Sequence, residues 1–271
     1  MKKIIGILTV IACAAMVAAM PGLAEELVLK GSTTVLPIAQ EVSEAYMKMH
    51  PDIKISLSGG GSSNGIKAII DGTANIGNSS RFIKSEEVEL AGTKKVYPVP
   101  HRIGLDCIVP IVNVKNGVTD LSRAQLKDIY MGKATNWKEV GGPDLKIVVI
   151  SRDTSSGTYE VWEHLVMNKE RVIPSALTVP SNGALVQAVA GSPGAIGYIA
   201  LGYVTAEVKS LSVDSISGTP DTTRNGSYPL SRPLFMFTNG WPSGPTGDYM
   251  AFMLSAKGQQ LVEKAGSIPL F

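Results

Sequence analysis

The chain has 271 residues, 25 basic and 23 acidic, and two of the basic ones, Lys2 and Lys3, stand at its start. A leader ending at Ala24 takes those two lysines and no acid with it, leaving a mature chain of zero net charge. That excludes the clustered Lys and Arg field needed to grip nucleic acid or an anionic membrane surface, so any anion it binds must be held by local geometry. The leader reads as a secretory signal peptide: Lys2 and Lys3, an apolar run over residues 4–20, then Pro21, Gly22, Leu23 and Ala24 with small residues at the cleavage positions. A rival reading takes Val10, Ile11, Ala12 and Cys13 as a lipoprotein box with Cys13 lipidated. It is the weaker one, since it leaves the greasy stretch 14–20 on the mature protein. Later segments lack ~20 uninterrupted apolar residues, so the mature protein is expected to be soluble and periplasmic.

Along the mature chain, short β-branched runs alternate with helical periodicities, the pattern of α/β layers around mostly parallel sheets. Residues 27–30 predict a strand, and Val35, Ile38, Ala39, Val42, Tyr46 and Met49 then recur at helical spacing. A strand over 53–57 leads to a short helix through Ile66, Ile69 and Ile70 that Gly72 ends, and a strand over 74–76 follows. Cys107, the one cysteine left, lies in the apolar run 103–112 and reads as a buried structural thiol. Ser122 with Gln125 predicts a capping box for a helix closed by Gly132. A buried strand over 147–150 precedes Val161, Trp162, Leu165 and Val166 on one helical face. Residues 211–232 read as loop, and 246–265 as a single final helix. The length suits two compact domains.

One local pattern occurs three times: a strand, a turn of small hydroxyl and glycine residues, then a helix. The turns are Gly31, Ser32, Thr33, Thr34; then Gly59 through Gly65 with Ser62 and Ser63; then Asp153, Thr154, Ser155, Ser156, Gly157, Thr158. Each offers unpaired N–H donors, a positive dipole end and hydroxyls, a seat for an oxyanion. Singly, each is also what an ordinary helix cap looks like. Arginines shift the balance. Arg152 ends a buried strand, where an anion would offset an otherwise costly guanidinium, and Arg81 follows another strand end; either can instead form an ion pair.

Gly61, Ser62, Ser63, Asn64, Gly65 also fits the G-x-S-x-G nucleophile pattern of hydrolases. The histidines are His50, His101 and His164, with none late in the chain to serve as base, so a Ser-dependent hydrolase is disfavoured and no catalytic residue is expected. Asn64 stands where a dinucleotide loop needs its third Gly. His50 reads as a solvated helix end, His164 as structural, and Trp137, Trp162 and Trp241 as core or loop packing. No Cys/His spacing suits zinc, and no metal or cofactor is called for.

The segments KGSTTVLPIAQ, SGGGSSNGIKAIIDGTANIG, LSRAQLKDIYMGKATNWKEVGG and SRDTSSGTYEVW together resemble the phosphate-binding proteins of ATP-driven phosphate uptake systems, over nearly the whole mature chain. The resemblance implies a type II periplasmic-binding-protein fold, α/β, with two lobes joined by two crossing strands and the ligand in the cleft. Lobe I would comprise residues 25–105 and 229–271, and lobe II residues 106–228. It implies a monomer that binds inorganic phosphate and hands it to the membrane permease of an ABC transporter. Carried over, Ser32, Thr33 and Thr34 serve the first helix end, Ser62 the second, and Arg152, Ser156, Gly157 and Thr158 the third, with Ser155 as a further candidate. The better-known members place an aspartate after the small-residue turn, where it accepts the phosphate proton and rejects sulfate. Here that position is Ser80, followed by Arg81. Asp106, on the expected crossing strand, is the candidate replacement acceptor; its alternative role is to pair with Arg81 or Arg152. A receptor for another tetrahedral oxyanion such as sulfate is the second reading.

Overall fold

The computed structural model describes residues 25–271; the signal peptide and the Cys13 reading lie outside them. Strand β1 (Glu25–Gly31) is followed by α1 (Leu36–Met49), β2 (Ile53–Ser58), α2 (Ser62–Ile70), β3 (Ile76–Ser79) and α3 (Ser85–Thr93). β1 pairs in parallel with both β2 and β3. β4 (Pro98–Asn113) is a single strand of 16 residues. Then come β5 (Asp120–Leu121), α4 (Arg123–Tyr130), β6 (Val148–Arg152), α5 (Gly157–Leu165), β7 (Leu177–Val179), α6 (Asn182–Ala190), β8 (Ala195–Ala200), β9 (Val208–Ser210), β10 (Ser212–Val213), α7 (Pro220–Arg224), β11 (Ser231–Asn239), α8 (Gly244–Leu254) and α9 (Ala256–Lys264).

A nine-stranded sheet runs in the order β2-β1-β3-β11-β4-β8-β6-β7, with β9 also on β4. β4 connects its halves: residues 98–107 pair antiparallel with β11, and 108–113 pair with β8 and β9. The buried apolar residues separate at the same place. Ile103 and Leu234 pack with β1 and α1, whereas Cys107 and Leu230 pack with Trp137, Trp162 and Tyr198. The chain therefore passes between two cores at 104–106 and again at 231–233. In each half the parallel strands end toward the junction, which puts their carboxyl-end turns face to face, where open α/β sheets bind ligands.

Three local expectations need correction. The strand expected over 74–76 is β3, shifted to Ile76–Ser79, so Ser80 and Arg81 follow it directly. The stretch read as loop over 211–232 contains β10, α7 and the start of β11. The single final helix is two, because Ser255 is extended (φ −72°, ψ 165°) and its side chain caps α9 by accepting from Gly258 N–H. Ser122 and Gln125 form the predicted capping box. Cys107 is buried, Trp137 and Trp162 are fully buried, and Trp241 is exposed. Among the described residues no helix is long and apolar enough to cross a membrane.

Candidate anion site

The turn after β1 is tight. Ser32 N–H donates to Asn78 O at 2.8 Å, and a Cβ on Gly31 (φ +133°) would sit 2.2 Å from that same oxygen, so only glycine fits. Ser32 Oγ accepts from Thr34 N–H at 3.2 Å. The first helix starts later than the turn suggested: Val35 is the N-cap of α1 and no side chain caps it, so Thr33 and Thr34 stand in the lead-in. α2 opens at Ser62 after Gly61, again without a side-chain cap. α5 opens at Gly157, capped by Ser156, whose hydroxyl accepts from Tyr159 N–H at 3.3 Å.

These turns meet across the cleft. Thr34 Oγ1 lies 3.3 Å from Thr158 Oγ1. Ser62 Oγ lies 3.3 Å from Ser80 Oγ and accepts Ser80 N–H at 3.0 Å, and both hydroxyls crowd Gly157. Ser63 N–H donates to Ser155 O at 3.1 Å, and Tyr203 Oη donates to Thr33 O at 2.6 Å. Ser32, Thr33, Thr34, Ser62, Ser80, Ser156 and Thr158 are all buried. Such a set of hydroxyls and helix N-termini is stable only with its donors aimed at acceptors.

Arg152 lies at this junction. Its Nε donates to Val179 O at 3.2 Å and its Nη2 to Pro180 O at 2.9 Å, while Tyr198 Oη, in a ring stacked on Trp162, accepts its backbone N–H at 3.2 Å. Its Nη1 is buried and finds no protein acceptor. Burial lowers the guanidinium's pKa, and the neighbouring Arg232 adds to that, although Asp153 opposes it.

Two predicted residues face elsewhere. Arg81 forks onto Glu87 at 2.7 and 2.8 Å, holds Ser63 Oγ at 2.9 Å, and has its Nε 2.8 Å from Glu160 Oε2. That last pair is close but poorly aligned, since Nε has no hydrogen bond by direction. Burial would lower the Arg81 pKa; the Glu87 hydrogen bond and Glu160 charge outweigh it and raise it. Arg81 lines a separate cleft of about 640 Å³ with Phe82, Lys84 and His164. The hydroxyl cluster and this cleft differ in kind: a small, strongly hydrated anion needs dehydrated donors on all sides, and an open charged groove does not offer them. Ser155 Oγ is taken up by Asp153 and by Gly60 O at 3.0 Å. Asp106 pairs with neither Arg81 nor Arg152; its partner is Arg232 of β11.

Two residues of the cluster went unforeseen. Asn182, the first residue of α6, donates from Nδ2 to Thr33 Oγ1 and Thr34 Oγ1 at 3.3 and 3.2 Å, and its Oδ1 accepts Ala200 N–H. It follows another strand, small-residue turn and helix, so the same pattern would have found it. Arg232 donates to Thr158 Oγ1 at 3.0 Å and Thr34 Oγ1 at 3.2 Å, and no local signal marks it. Among the described residues no group of three His, Cys, Asp or Glu gathers to hold a metal ion. Ser63 donates to Glu160 and accepts from Arg81, with no imidazole bonded to it.

The family model for the PBP superfamily domain matches residues 17–257. The phosphate-binding protein PstS of Borreliella burgdorferi is 33% identical over 248 residues, covering 87% of each chain. This chain belongs to the PBP superfamily, among the PstS phosphate-binding proteins. The fold agrees with that membership. A Clostridium perfringens substrate-binding protein of the phosphate ABC transporter type, solved with bound phosphate, superposes with a TM-score of 0.85 at 36% identity, covering 91% of this chain and all of that one. An ABC-type phosphate transport receptor from Vibrio cholerae gives 0.74 at 32% identity, covering 89% of this chain and 99% of that one. The type II periplasmic-binding-protein architecture expected of a PstS-like chain is thus the one observed, and these relatives are binding proteins.

Proposed function

We propose that this protein binds inorganic phosphate outside the cytoplasmic membrane and passes it, chemically unchanged, to the permease of an ABC transporter. The observation that carries this reading is Arg152 Nη1, a buried guanidinium nitrogen without a protein acceptor at the end of β6, in a protein whose buried hydroxyls of Thr34, Thr158, Ser62 and Ser80 meet between the two halves. Leaving a buried charge-assisted donor unmade is costly, and a tetrahedral oxyanion offsets it. The N–H groups opening α2 and α5 add donors and dipole ends from both sides. The names of the relatives support phosphate as that anion. Thr33, Ser32 and Ser156 support the turns, while Arg81 and Ser155 join the lobes. We place the lobe boundaries at the two crossings, 104–106 and 231–233, which moves the second boundary a few residues beyond the 228 that the sequence suggests, and we adopt a monomer and export with cleavage after Ala24. Calorimetric titration of phosphate-free mature protein tests the reading. Binding near ~1 μM would correspond to about 8 kcal/mol; no heat, together with no rise in melting temperature on adding phosphate, overturns it.

A further inference from the structure

Arg232 reaches the hydroxyl cluster, Arg152 lies close enough to feel its charge, and the carboxylate beside Arg232 is already committed. Arg232 stands directly opposite Asp106 in the β11–β4 register, and its Nε and Nη2 donate to Asp106 Oδ2 at 2.9 and 2.8 Å. Asp106 Oδ1 accepts Leu201 N–H at 3.1 Å. Burial pushes this carboxyl's pKa up, against the pull of Arg232. Three N–H donors reach it, two from the guanidinium and one from Leu201, and all of them favour its ionised form. Of the three other N–H donors of Arg232, one on Nη1 reaches Thr158 and one on Nη2 reaches Thr34, one from each side of the cleft, which leaves one on Nη1, while Arg232 itself sits on a strand that passes between the two cores.

Those contacts fix which way the hydroxyls point. A hydroxyl accepts twice and donates once. Thr34 Oγ1 accepts from Asn182 and Arg232, so its own proton must go out, to Thr158 or to an anion. If it goes to Thr158, which already accepts from Arg232, the Thr158 proton is the one sent outward. Either way the threonine pair presents donors. The buried charges at the junction sum to two cations, Arg152 and Arg232, against one carboxylate. The other ionisable groups facing it are Asp153 on the turn before α5, tied to Ser155; Cys107 on β4; Tyr198 on β8; and Tyr203 after it. Glu160 on α5 is engaged by Arg81 and Lys84.

We infer that Arg232, aimed by Asp106, is a second anion-binding guanidinium, and that the site takes oxyanion dianions by charge and donor count rather than through a carboxylate that accepts the phosphate proton. This rests on the cluster being the phosphate site. The experiment is calorimetric titration of phosphate-free mature protein with phosphate and with sulfate at about pH 6 and about pH 8.5, for the wild type, Arg232→Gln and Asp106→Asn, with anion-free melting curves to confirm folding. Sulfate is expected to bind within roughly tenfold of phosphate at the higher pH. Phosphate affinity per total phosphate should fall about tenfold for each pH unit below its second ionisation, while sulfate affinity stays level. Arg232→Gln should weaken both anions by a shared factor of about 100, and Asp106→Asn should weaken both without changing their ratio. Sulfate silence beside tight phosphate binding overturns the inference and points to Ser80 Oγ as acceptor. A ratio that moves toward sulfate in Asp106→Asn overturns it in favour of Asp106. The wild-type sulfate titration decides even if a variant does not fold, and absence of phosphate binding in the wild type at either pH defeats the phosphate reading itself.

Discussion

Gly157, the first residue of α5, and Ser62, the first residue of α2, face each other so closely that a Cβ on Gly157 would stand 2.3 Å from Ser62 Oγ and 2.8 Å from Ser80 Oγ. The glycine is required by proximity between the lobes. Gly157→Ala should therefore leave each lobe's core intact while obstructing their closure. Overpacking of this kind costs about 1–3 kcal/mol, or roughly 5- to 150-fold in phosphate affinity. Calorimetry and an anion-free melt check it; a variant that loses melting temperature but keeps affinity would contradict it.

Arg152 separates stability from binding. Its side chain is buried, and its Nη1 finds no protein acceptor. Arg152→Met keeps similar bulk and removes a buried charge with an unpartnered Nη1, at the cost of its hydrogen bonds to Val179 O and Pro180 O, so the anion-free protein should melt within a few degrees of wild type. Phosphate binding should weaken by about 2–4 kcal/mol, and the phosphate-induced rise in melting temperature should vanish. Equal phosphate shifts in both proteins would place the anion elsewhere.

How much of this could be read from the chain depends on how local each contact is. The turns containing Thr34, Ser62 and Gly157, and the strand end at Arg152, follow from strand–turn–helix punctuation within a few residues. Which of their atoms point at the anion does not follow: Ser155 and Arg81 lie in the same patterns yet turn to Asp153, Glu87 and Glu160. Arg232 was invisible because its partner Asp106 is 126 residues earlier, and only the β4–β11 register brings them together. Asp106 did call for a buried cation, but without the topology any arginine qualified. The final helix reads as continuous in the sequence because the apolar spacing on both sides of Ser255 is helical, and a serine inside a helix resembles a serine that starts one.

Alkaline pH should unfold the protein earlier than its surface charges imply. Burial, then the Asp106 charge, pushes the Cys107 thiol up to about 12, and burial pushes Tyr203 up to about 12; Tyr130, Tyr198, Tyr228 and Tyr249 are raised as well. These groups are neutral in the fold, and the unfolded chain ionises them first, the thiol from ~8.5 and the phenols from ~10. Their stabilising contribution is complete below ~pH 8 and declines as pH rises through that window; the shares of Cys107 and Tyr203 are lost by about 12, and those of the other phenols go on falling beyond it. Cys107→Ala should flatten the fall in melting temperature between about pH 8 and about pH 10 while leaving the steeper phenol-driven fall above it. An unchanged slope over the lower window would show that the thiol is not protected.

Glu160 is tied to Arg81, Lys84 and Ser63 across the junction. From α5 its Oε2 lies 2.8 Å from both Arg81 Nε and Lys84 Nζ, and its Oε1 accepts from Ser63 Oγ at 2.8 Å. Arg81 is meanwhile held by Glu87 of α3, on its own side of the cleft, so it stays in place whether or not Glu160 is present. Opening the cleft would separate Arg81 from Glu160 but not from Glu87, along with breaking the backbone contacts of Ser63 with Ser155 and of Tyr203 with Thr33. Glu160→Gln keeps the size and one acceptor but removes the charge, which should destabilise the closed state by about 0.5–2 kcal/mol for a partly buried pair. Phosphate affinity should then drop roughly 3- to 30-fold, chiefly through faster release, because the anion's own contacts are untouched. Added salt should shrink the difference between variant and wild type. Stopped-flow release measured at low and high salt checks both parts; a release rate equal to wild type at low salt would mean that closure does not depend on this ion pair.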